Sequence, residues 1–379
     1  MAECVFTNTR IVRADEVFRG SLAVADGEIR DLDGSSSSLP GAIDLEGDYL
    51  MPGFVELHTD NLEKHMTPRP KTDWPSTAAV IAHDGQLAIS GITTVLDALA
   101  LGDVDQGSAR VRRLNDMIDG ICGAVAGGLL RADHYLHLRC EISYPDLPRA
   151  LDGAVDNDRV RMISVMDHTP GQRQFAKLDA YYTYYQGKYG LTDAEMVTFI
   201  EARTRDQETY GKTHRRHVVA LAHERGIALA SHDDATAAHV AEAVADRMSV
   251  AEFPTTVEAA KASHDAGLKV LMGGPNIVRG GSHSGNVSAR DLARQGYLDT
   301  ISSDYVPHAL LHAAMLLGDE IDGIDLPRAV NMISKNPAES VGLLDRGEIA
   351  LGKRADLVRV RAEDHPVVRG VWAGGERVA

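Results

Sequence analysis

The sequence predicts an α/β protein: a (β/α)8 TIM barrel with a small β-sandwich built from both chain ends. Two observations predict this fold class. The middle of the chain alternates apolar runs with amphipathic stretches, which is typical of βα units around a parallel sheet. The two ends instead contain short apolar runs separated by turn residues, which is typical of antiparallel strands. We therefore expect a β-sandwich domain of residues 1–51 plus 347–379 and a barrel domain of residues 52–346.

The chain ends supply the evidence for the sandwich. Near the N-terminus, Asp26-Gly27 is a favourable hairpin turn between two apolar runs, and residues 34–38 are rich in glycine and serine. The segment from Gly347 onward has the same alternation of short apolar runs and turns. If the two ends pair as strands of one sandwich, the whole middle region is an insert between them.

The middle region contains eight apolar runs, the number that closes a (β/α)8 barrel. These predicted strands are residues 54–60, 92–99, 134–142, 160–168, 227–234, 250–253, 269–275 and 300–304. Helical periodicity lies between them in residues 76–89, 108–120, 217–225 and 236–246. The aromatic and charged run from Pro170 to Arg216 is predicted to be an insertion with helices of its own.

The amino-acid composition limits the classes of partner that the chain is expected to bind. The chain has 379 residues, of which 44% are hydrophobic and 25% charged, and its formal net charge is −16. Such an acidic chain is not expected to bind nucleic acid or an anionic membrane. The three cysteines, Cys4, Cys122 and Cys140, are far apart and form no disulfide framework. Because no disulfide framework, signal peptide or membrane span is evident, we expect a cytoplasmic protein. We also expect a homo-oligomer, a dimer.

Ionisable residues stand at the C-terminal ends of six of the predicted strands, where barrel active sites form. They are His58, Asp60, Glu141, His168, His232, Glu252 and Asp304. One such histidine is more often a hydrogen-bonded structural residue, but six positions of this kind are not easily explained by structure alone. So many carboxylates are costly to pack together unless cations neutralise them. Imidazoles with carboxylates suit Zn²⁺, with Mn²⁺ and Fe²⁺ as alternatives.

The predicted centre holds one or two divalent ions. A carboxylate can bridge two ions, and we assign this place to Glu141. His58 and Asp60 would hold one ion, and His232 would hold the other. His168 and Glu252 compete for the last ligand place, since strand counting puts Glu252 where many such barrels have a histidine. Asp304 would contact the attacking water and accept its proton.

A second set of residues is suited to binding an anion. The glycine-rich stretch 276–286 follows the seventh predicted strand, and its backbone N–H groups can surround phosphate oxygens. Arg279 and His283 lie in this stretch, while Arg173 and Lys188 lie in loops after the fourth strand. Each cation alone is more typical of a solvated surface position. Together they would neutralise a phosphorylated small-molecule substrate.

The run Met51-Pro52-Gly53-Phe54-Val55-Glu56-Leu57-His58, with GKRADLV from Gly352, resembles the amidohydrolase superfamily. More narrowly, the chain is similar to the diphosphatases of the carbon–phosphorus lyase pathway. This similarity is found in HTDNLEKHMTPRPKTDWP from His58, MDHTPGQRQFA from Met166, YYQGKYGLTD from Tyr184, ALASHDDAT from Ala228, AEFPTT from Ala251, NIVRGGSHSGN from Asn276 and SSDYVP from Ser302. The usual His-x-His of the superfamily is His58-Thr59-Asp60 here, a variant that the narrower group shares.

This resemblance implies a reaction that the residues alone do not name. Water would cleave a triphosphate on the ribose 5-carbon of a 1-methylphosphonate sugar, releasing pyrophosphate and leaving the 5-phosphate. Asp304 would take the proton, and the metals with Arg279, Lys188 and Arg173 would neutralise the leaving pyrophosphate. The alternatives are an amidohydrolase acting on a cyclic amide or N-acyl substrate, a hydrolase of a related phosphonate nucleotide, and a metal-free scaffold protein.

Overall fold

The computed structural model of the protein describes residues 4–69, 72–103, 108–173, 181–182, 185–187, 190–282 and 285–379. Its strands are β1 Cys4–Val12, β2 Val17–Ala25, β3 Glu28–Asp33, β4 Ile43–Asp44, β5 Tyr49–Pro52, β6 Phe54–Thr59, β7 Ile92–Leu101, β8 Asp133–Glu141, β9 Val160–Met166, β10 Ala228–His232, β11 Val250–Glu252, β12 Lys269–Gly273, β13 Thr300–Ser302, β14 Leu357–Ala362, β15 Pro366–Ala373 and β16 Glu376–Arg377.

Helices separate most of the strands in the middle of the chain. Within the described ranges they are α1 Leu62–Met66, α2 Ser76–Ile89, α3 Ala109–Arg112, α4 Leu114–Ala126, α5 Leu147–Ala154, α6 Asp193–Asp206, α7 Lys212–Arg225, α8 Ala237–Ala245, α9 Val257–Asp265, α10 Gly274–Arg279, α11 Ala289–Arg294, α12 Ala309–Glu320, α13 Leu326–Asn331 and α14 Lys335–Ser340. A π-helical turn, Gln207–Gly211, joins α6 to α7. No helix of the described segments is long and apolar enough to span a membrane.

The strands of the two chain ends pair with one another, as predicted, and belong to one sheet. Its strand order is β16-β15-β14-β5-β1-β2-β3, and β4 pairs with β1. The ends are joined where β5 pairs antiparallel with β14, with Leu50 opposite Arg359. Alternate side chains of this sheet bury an apolar cluster, in which the rings of Phe6 and Trp372 pack edge-to-face with centroids 4.8 Å apart. Burial of this cluster stabilises the pairing of the two ends.

The other sheet contains the eight predicted barrel strands in sequence order, β13-β12-β11-β10-β9-β8-β7-β6. Neighbours such as β9 and β10 pair in parallel, as βα units require. A parallel bridge between Thr59 and Asp304 links the two strands at the ends of this series, as a closed barrel requires. The (β/α)8 fold class with a second sheet from the chain ends is therefore confirmed.

Helix boundaries differ from the sequence prediction by more than one residue in two places. The predicted helix 108–120 is two helices, α3 and α4, and α4 extends to Ala126. Gly128 has a φ of +63° in the turn that follows it, a conformation that ends helices readily. The predicted helix 217–225 begins earlier, at Lys212, because the charged run before it hides the helical periodicity.

The chain divides into two compact units. Unit 1 comprises Met1–Asp97, Asp119–Tyr135 and Met272–Ala379, and unit 2 comprises Ala98–Ile118 and Leu136–Leu271. The predicted division into residues 1–51 plus 347–379 and residues 52–346 remains a prediction. Each unit is described by itself below.

Candidate metal centre

Two histidines and an aspartate of unit 2 bring three donor atoms together. His168 follows β9, His232 ends β10, and Asp233 follows directly. Oδ2 of Asp233 lies 3.6 Å from Nε2 of His168 and 3.6 Å from Nε2 of His232. The donor atoms of all three residues lie within 4.8 Å of one another. Two imidazole nitrogens and one carboxylate oxygen are a ligand set that suits Zn²⁺ and similar divalent ions.

The remaining ring nitrogens are held by two buried glutamates. Nδ1 of His168 lies 2.8 Å from Oε2 of Glu141, and Nδ1 of His232 lies 3.1 Å from Oε2 of Glu252. A carboxylate on one ring nitrogen fixes the tautomer and the ring orientation of a metal-binding histidine. Both imidazoles therefore present Nε2 towards Asp233, and the donor set fits a divalent cation.

The two glutamates are themselves held in place. Oγ of Ser143 donates to Oε1 of Glu141 at 2.8 Å. Oγ of Ser164 donates to Oε2 of Glu252, and Nε2 of His137 lies 3.8 Å from Oε1 of the same carboxylate. Each glutamate is only 1% exposed, so these contacts offset the cost of burying its charge.

The protonation states in unit 2 match this arrangement. Burial lowers the pKa of His232, so its imidazole is neutral at pH 7. Burial opposes ionisation of Asp233, but the two neighbouring imidazoles outweigh it and lower the pKa of this carboxyl. Burial also opposes the charge on His168, yet its contacts with Asp233 and Glu141 raise its pKa to about 9. A cation at Nε2 of His168 would replace a proton there.

Backbone strain marks the ends of three strands. Asp233 follows β10 with φ +56°, Phe253 follows β11 with φ +52°, and Asp304 lies two residues beyond β13 with φ +55°. Residues other than glycine pay on the order of 1–3 kcal/mol for such conformations, which cluster at functional sites. This backbone turn places the carboxylate of Asp233 beside the preceding imidazole.

Arg173, a predicted substrate-binding residue, is itself buried and lies in an ion-pair network of unit 2. Its guanidinium donates to Asp234 and, at 3.1 Å, to Oε2 of Glu242. Arg215 binds the same Glu242 oxygen at 2.9 Å and Asp246 at 2.7 Å. Arg173 is 6% exposed, and its role towards a substrate remains a prediction.

In unit 1, the backbones around His58 and Asp304 are joined. The N–H of Asp304 donates to the carbonyl oxygen of His58 at 3.1 Å, and Oγ1 of Thr59 donates to the carbonyl oxygen of Asp304 at 2.7 Å. These bonds place the predicted base directly beside the first predicted ligand. Asp60, the other ligand predicted for this strand end, follows Thr59 and is partly exposed.

Glu56, which the sequence analysis did not assign, braces the same strand ends from inside. Its Oε1 accepts from the N–H of His58 at 2.7 Å, and its Oε2 accepts from the N–H of Ser303 at 2.6 Å. Burial is complete and raises the pKa of Glu56 to about 8. One carboxyl group thus fixes both β6 and the segment that leads to Asp304. A glutamate within the apolar run FVELH was the sequence feature that could have revealed it.

Three predicted anion-binding residues remain, Arg279, His283 and Lys188, and the structure describes only the first. Arg279 is the exposed last residue of α10, and Gly280 ends this helix with φ +82°. Stretch 276–286 thus begins as helix. His283 and Lys188 lie outside the described residues.

The sequence profile of the Amidohydrolase family matches residues 49–378. The chain belongs to the amidohydrolase family. One curated relative is alpha-D-ribose 1-methylphosphonate 5-triphosphate diphosphatase of Escherichia coli (strain K12), which is 50% identical to this chain over 376 residues. The match covers 99% of this chain and 100% of the relative. Adenine deaminase of Desulfatibacillum aliphaticivorans is 25% identical over 388 residues, covering 99% of this chain but 58% of that protein.

Solved structures agree on the amidohydrolase fold. N-acetyl-D-glucosamine-6-phosphate deacetylase from Mycobacterium smegmatis superposes with a TM-score of 0.64 at 16% identity, and the match covers 100% of both chains. At this identity the likeness shows the fold alone. The family and the relative of 50% identity together identify the chain as a hydrolytic enzyme of a metal-dependent family.

The sequence predicts the strand-end residues of this site but gives no role to Asp233. The position of its carboxylate depends on a backbone conformation that the sequence does not specify.

Proposed function

We propose that this amidohydrolase cleaves α-D-ribose 1-methylphosphonate 5-triphosphate to the 5-phosphate and pyrophosphate, in phosphonate catabolism. The relative that is 50% identical along its entire length carries the name of this activity. The observation that carries the proposal within the structure is the His168, His232 and Asp233 group, whose Nε2 and Oδ2 atoms converge while Glu141 and Glu252 orient the rings. Such a group supports hydrolytic chemistry that requires a divalent ion.

We assign this group as the ligands of one divalent ion, with Zn²⁺ as the first expectation and Mn²⁺ or Fe²⁺ as alternatives. The contact between Glu252 and His232 supports the choice of His168 over Glu252 for the open ligand place. His58 and Asp60 remain the proposed ligands of a second ion, with Glu141 shared if both bind. When bound, the metal supplies positive charge that polarises the phosphate and lowers the pKa of water.

The chain's own residues supply the other parts of the reaction. Asp304 accepts the proton of the water that attacks the α-phosphorus, and its hydrogen bonds to His58 and Thr59 hold its backbone in place. Arg279, Arg173, Lys188 and His283 are the proposed contacts of the phosphates. Cations at these positions would stabilise the charge that develops on the leaving pyrophosphate.

The test is phosphorus NMR of the products, with metal analysis of the same sample. A panel of ribosyl and nucleoside triphosphates should give pyrophosphate and the 5-monophosphate, with one or two divalent ions per chain. Turnover of hydantoins, lactams or N-acyl compounds, with no cleavage of triphosphates, would favour the amide-hydrolase alternative. A chain that binds no metal, and whose melting temperature is unchanged by Zn²⁺ or Mn²⁺, would be a scaffold instead.

The cytoplasmic location and the dimeric state are also proposed. Light scattering of the purified full chain measures the mass directly. A mass of one chain would contradict the dimer.

A further inference from the structure

Unit 1 contains a second cluster of ionisable side chains that the proposed reaction does not use. Asp84 and His83 lie on α2, Asp97 on β7 and His134 on β8. All four are 0% exposed. Burying two carboxylates and two imidazoles completely is costly unless each polar atom has a partner, so the contacts of this cluster need to be followed individually.

The contacts form a continuous series. Oδ2 of Asp97 lies 2.7 Å from Nδ1 of His134, whose Nε2 lies 3.4 Å from Oδ1 of Asp84. The other Asp97 oxygen, Oδ1, lies 2.8 Å from Nε2 of His83. Nδ1 of His83 then lies 3.1 Å from Nδ2 of Asn61, a residue that is 2% exposed. We call Asp84, His134, Asp97, His83 and Asn61 the buried relay.

The protonation states determine which group donates at each hydrogen bond of the buried relay. Burial opposes the charge on His134, but Asp97 and Asp84 outweigh it and raise the pKa of His134 to about 9, so both ring nitrogens carry a proton. Nδ1 donates to Asp97, while Nε2 forms an ion pair with Asp84. Burial lowers the pKa of His83, which is therefore neutral. Since its Nε2–H donates to Asp97, its Nδ1 accepts from Asn61. The second N–H of the Asn61 amide donates to Oε1 of Gln86 at 2.9 Å, so the orientation of this amide is fixed.

The charges of the relay are already balanced by protein groups. Both carboxylates lie against the protonated His134. Asp84 also pairs with the guanidinium of Arg131, whose Nη1 lies 3.0 Å from its Oδ2. His83, Asp97 and His134 also have the composition of a metal site. However, Asp97 uses a different oxygen for each imidazole, and a hydrogen-bonded chain accounts for both contacts. The balanced charges and the separate Asp97 oxygens favour a hydrogen-bond relay over a metal site at His83, Asp97 and His134.

The relay ends beside the predicted ligand Asp60. Asn61 follows Asp60 in the chain and precedes α1, and its backbone N–H donates to Oγ1 of Thr59 at 3.3 Å. Thr59 in turn donates to the carbonyl oxygen of Asp304. The segment that carries Asp60 is thus held from both sides: by Thr59 and Asp304 at one end, and by the relay at the other.

We propose that the buried relay is a positioning device that fixes the segment carrying Asp60 through the side chain of Asn61. This inference rests on the proposed function where it concerns metal binding, but the positioning itself does not. Groups that orient a metal ligand without touching the metal typically contribute roughly 10–100-fold in metal affinity or activity. Loss of the relay should therefore weaken metal binding without unfolding the barrel.

The experiment compares Asn61→Leu and His83→Phe, which break the relay, with His83→Gln, which keeps one donor and one acceptor. Thr9→Val is the matched control, since it removes one buried hydrogen bond, from Oγ1 to the carbonyl oxygen of Asp48, in the sheet formed by the two chain ends. We expect backbone amide exchange in the metal-free protein to be at least ~10-fold faster in residues 60–67 of Asn61→Leu than of the control. The full chain is used throughout.

Metal affinity and kinetics are measured on the same proteins by competition with a chromophoric chelator for Zn²⁺ and by triphosphate hydrolysis. Asn61→Leu and His83→Phe should bind Zn²⁺ ~10–100-fold more weakly and lose kcat by a similar factor, with KM within ~3-fold of wild type. His83→Gln should recover part of both. Amide exchange of Asn61→Leu equal to that of Thr9→Val would overturn the positioning role. If the wild type binds no Zn²⁺ and cleaves no triphosphate while exchange changes as expected, the proposed function fails and the positioning role stands.

Discussion

Replacing His134 with glutamine tests the charge of the buried relay through the pH dependence of stability. The groups that face this imidazole are Asp97 on β7, Asp84 on α2 and the neighbouring His83, with Arg131 behind Asp84. Because the folded pKa of His134 is about 9 and its ordinary value is 6.5, the folded state binds its proton more tightly than the unfolded state does. The resulting stabilisation is complete below pH 6.5 and is lost as the pH rises through about 9.

The size of the effect follows from the two values. A difference of one pKa unit is worth about 1.4 kcal/mol, so moving from 6.5 to about 9 corresponds to about 3 kcal/mol of unfolding free energy. The contribution of His83 to the unfolding free energy has the opposite sign, because its lowered pKa reduces stability only below pH 6.5. The interval from pH 6.5 to 9.5 therefore isolates the contribution of His134 within the relay.

Urea denaturation of the full chain at half-unit steps of pH measures this directly. The wild type should lose about 3 kcal/mol more than His134→Gln between pH 6.5 and 9.5. The glutamine variant should also be less stable at pH 7, since it leaves the buried carboxylate of Asp97 without a cation and Asp84 with Arg131 alone. If that variant does not fold, Asp84→Asn, which removes one of the two carboxylates, should show a smaller loss than the wild type. Parallel curves for wild type and variant would refute the assigned charge of His134.

The remaining predictions concern the site itself. Asp304→Asn should lower kcat by at least ~100-fold, because general-base catalysis typically contributes that much, with an unchanged melting temperature; substantial residual hydrolysis would remove it from the base role. Arg279→Gln should impair the hydrolysis of triphosphates much more than that of a small neutral ester, and equal effects would show that it does not contact phosphate. Glu141→Gln keeps an acceptor for Nδ1 of His168, so Zn²⁺ affinity should fall less than ~100-fold if this residue orients the ring; a complete loss of metal would show that it is a ligand.

Much of the fold could be predicted because it depends on local pattern. The apolar runs that begin at Phe54 and Ile92 became β6 and β7, and the helix predicted for residues 76–89 became α2 with the same bounds. A buried parallel strand needs a continuous apolar stretch, which the printed sequence shows directly. Strand order then follows from the right-handed connections of βα units.

The parts of the site that were not predicted depend on tertiary contacts. Asp97 and His134 are 37 residues apart in sequence and meet only because β7 and β8 are neighbours. Sequence alone does not show that His83 and His134 share one carboxylate. Likewise, Asp233 becomes a candidate ligand through a φ of +56°, which residue type does not dictate. Roles that need a backbone angle or a distant partner are not visible in a single sequence.

The most direct test of the proposed function is hydrolysis in ¹⁸O-labelled water. Phosphorus NMR resolves whether the label enters the sugar phosphate or the pyrophosphate. Attack of water at the α-phosphorus, with Asp304 accepting its proton, predicts that the 5-phosphate of the phosphonate sugar carries one labelled oxygen and that the released pyrophosphate carries none. Label in pyrophosphate, or release of inorganic phosphate in its place, would contradict the account.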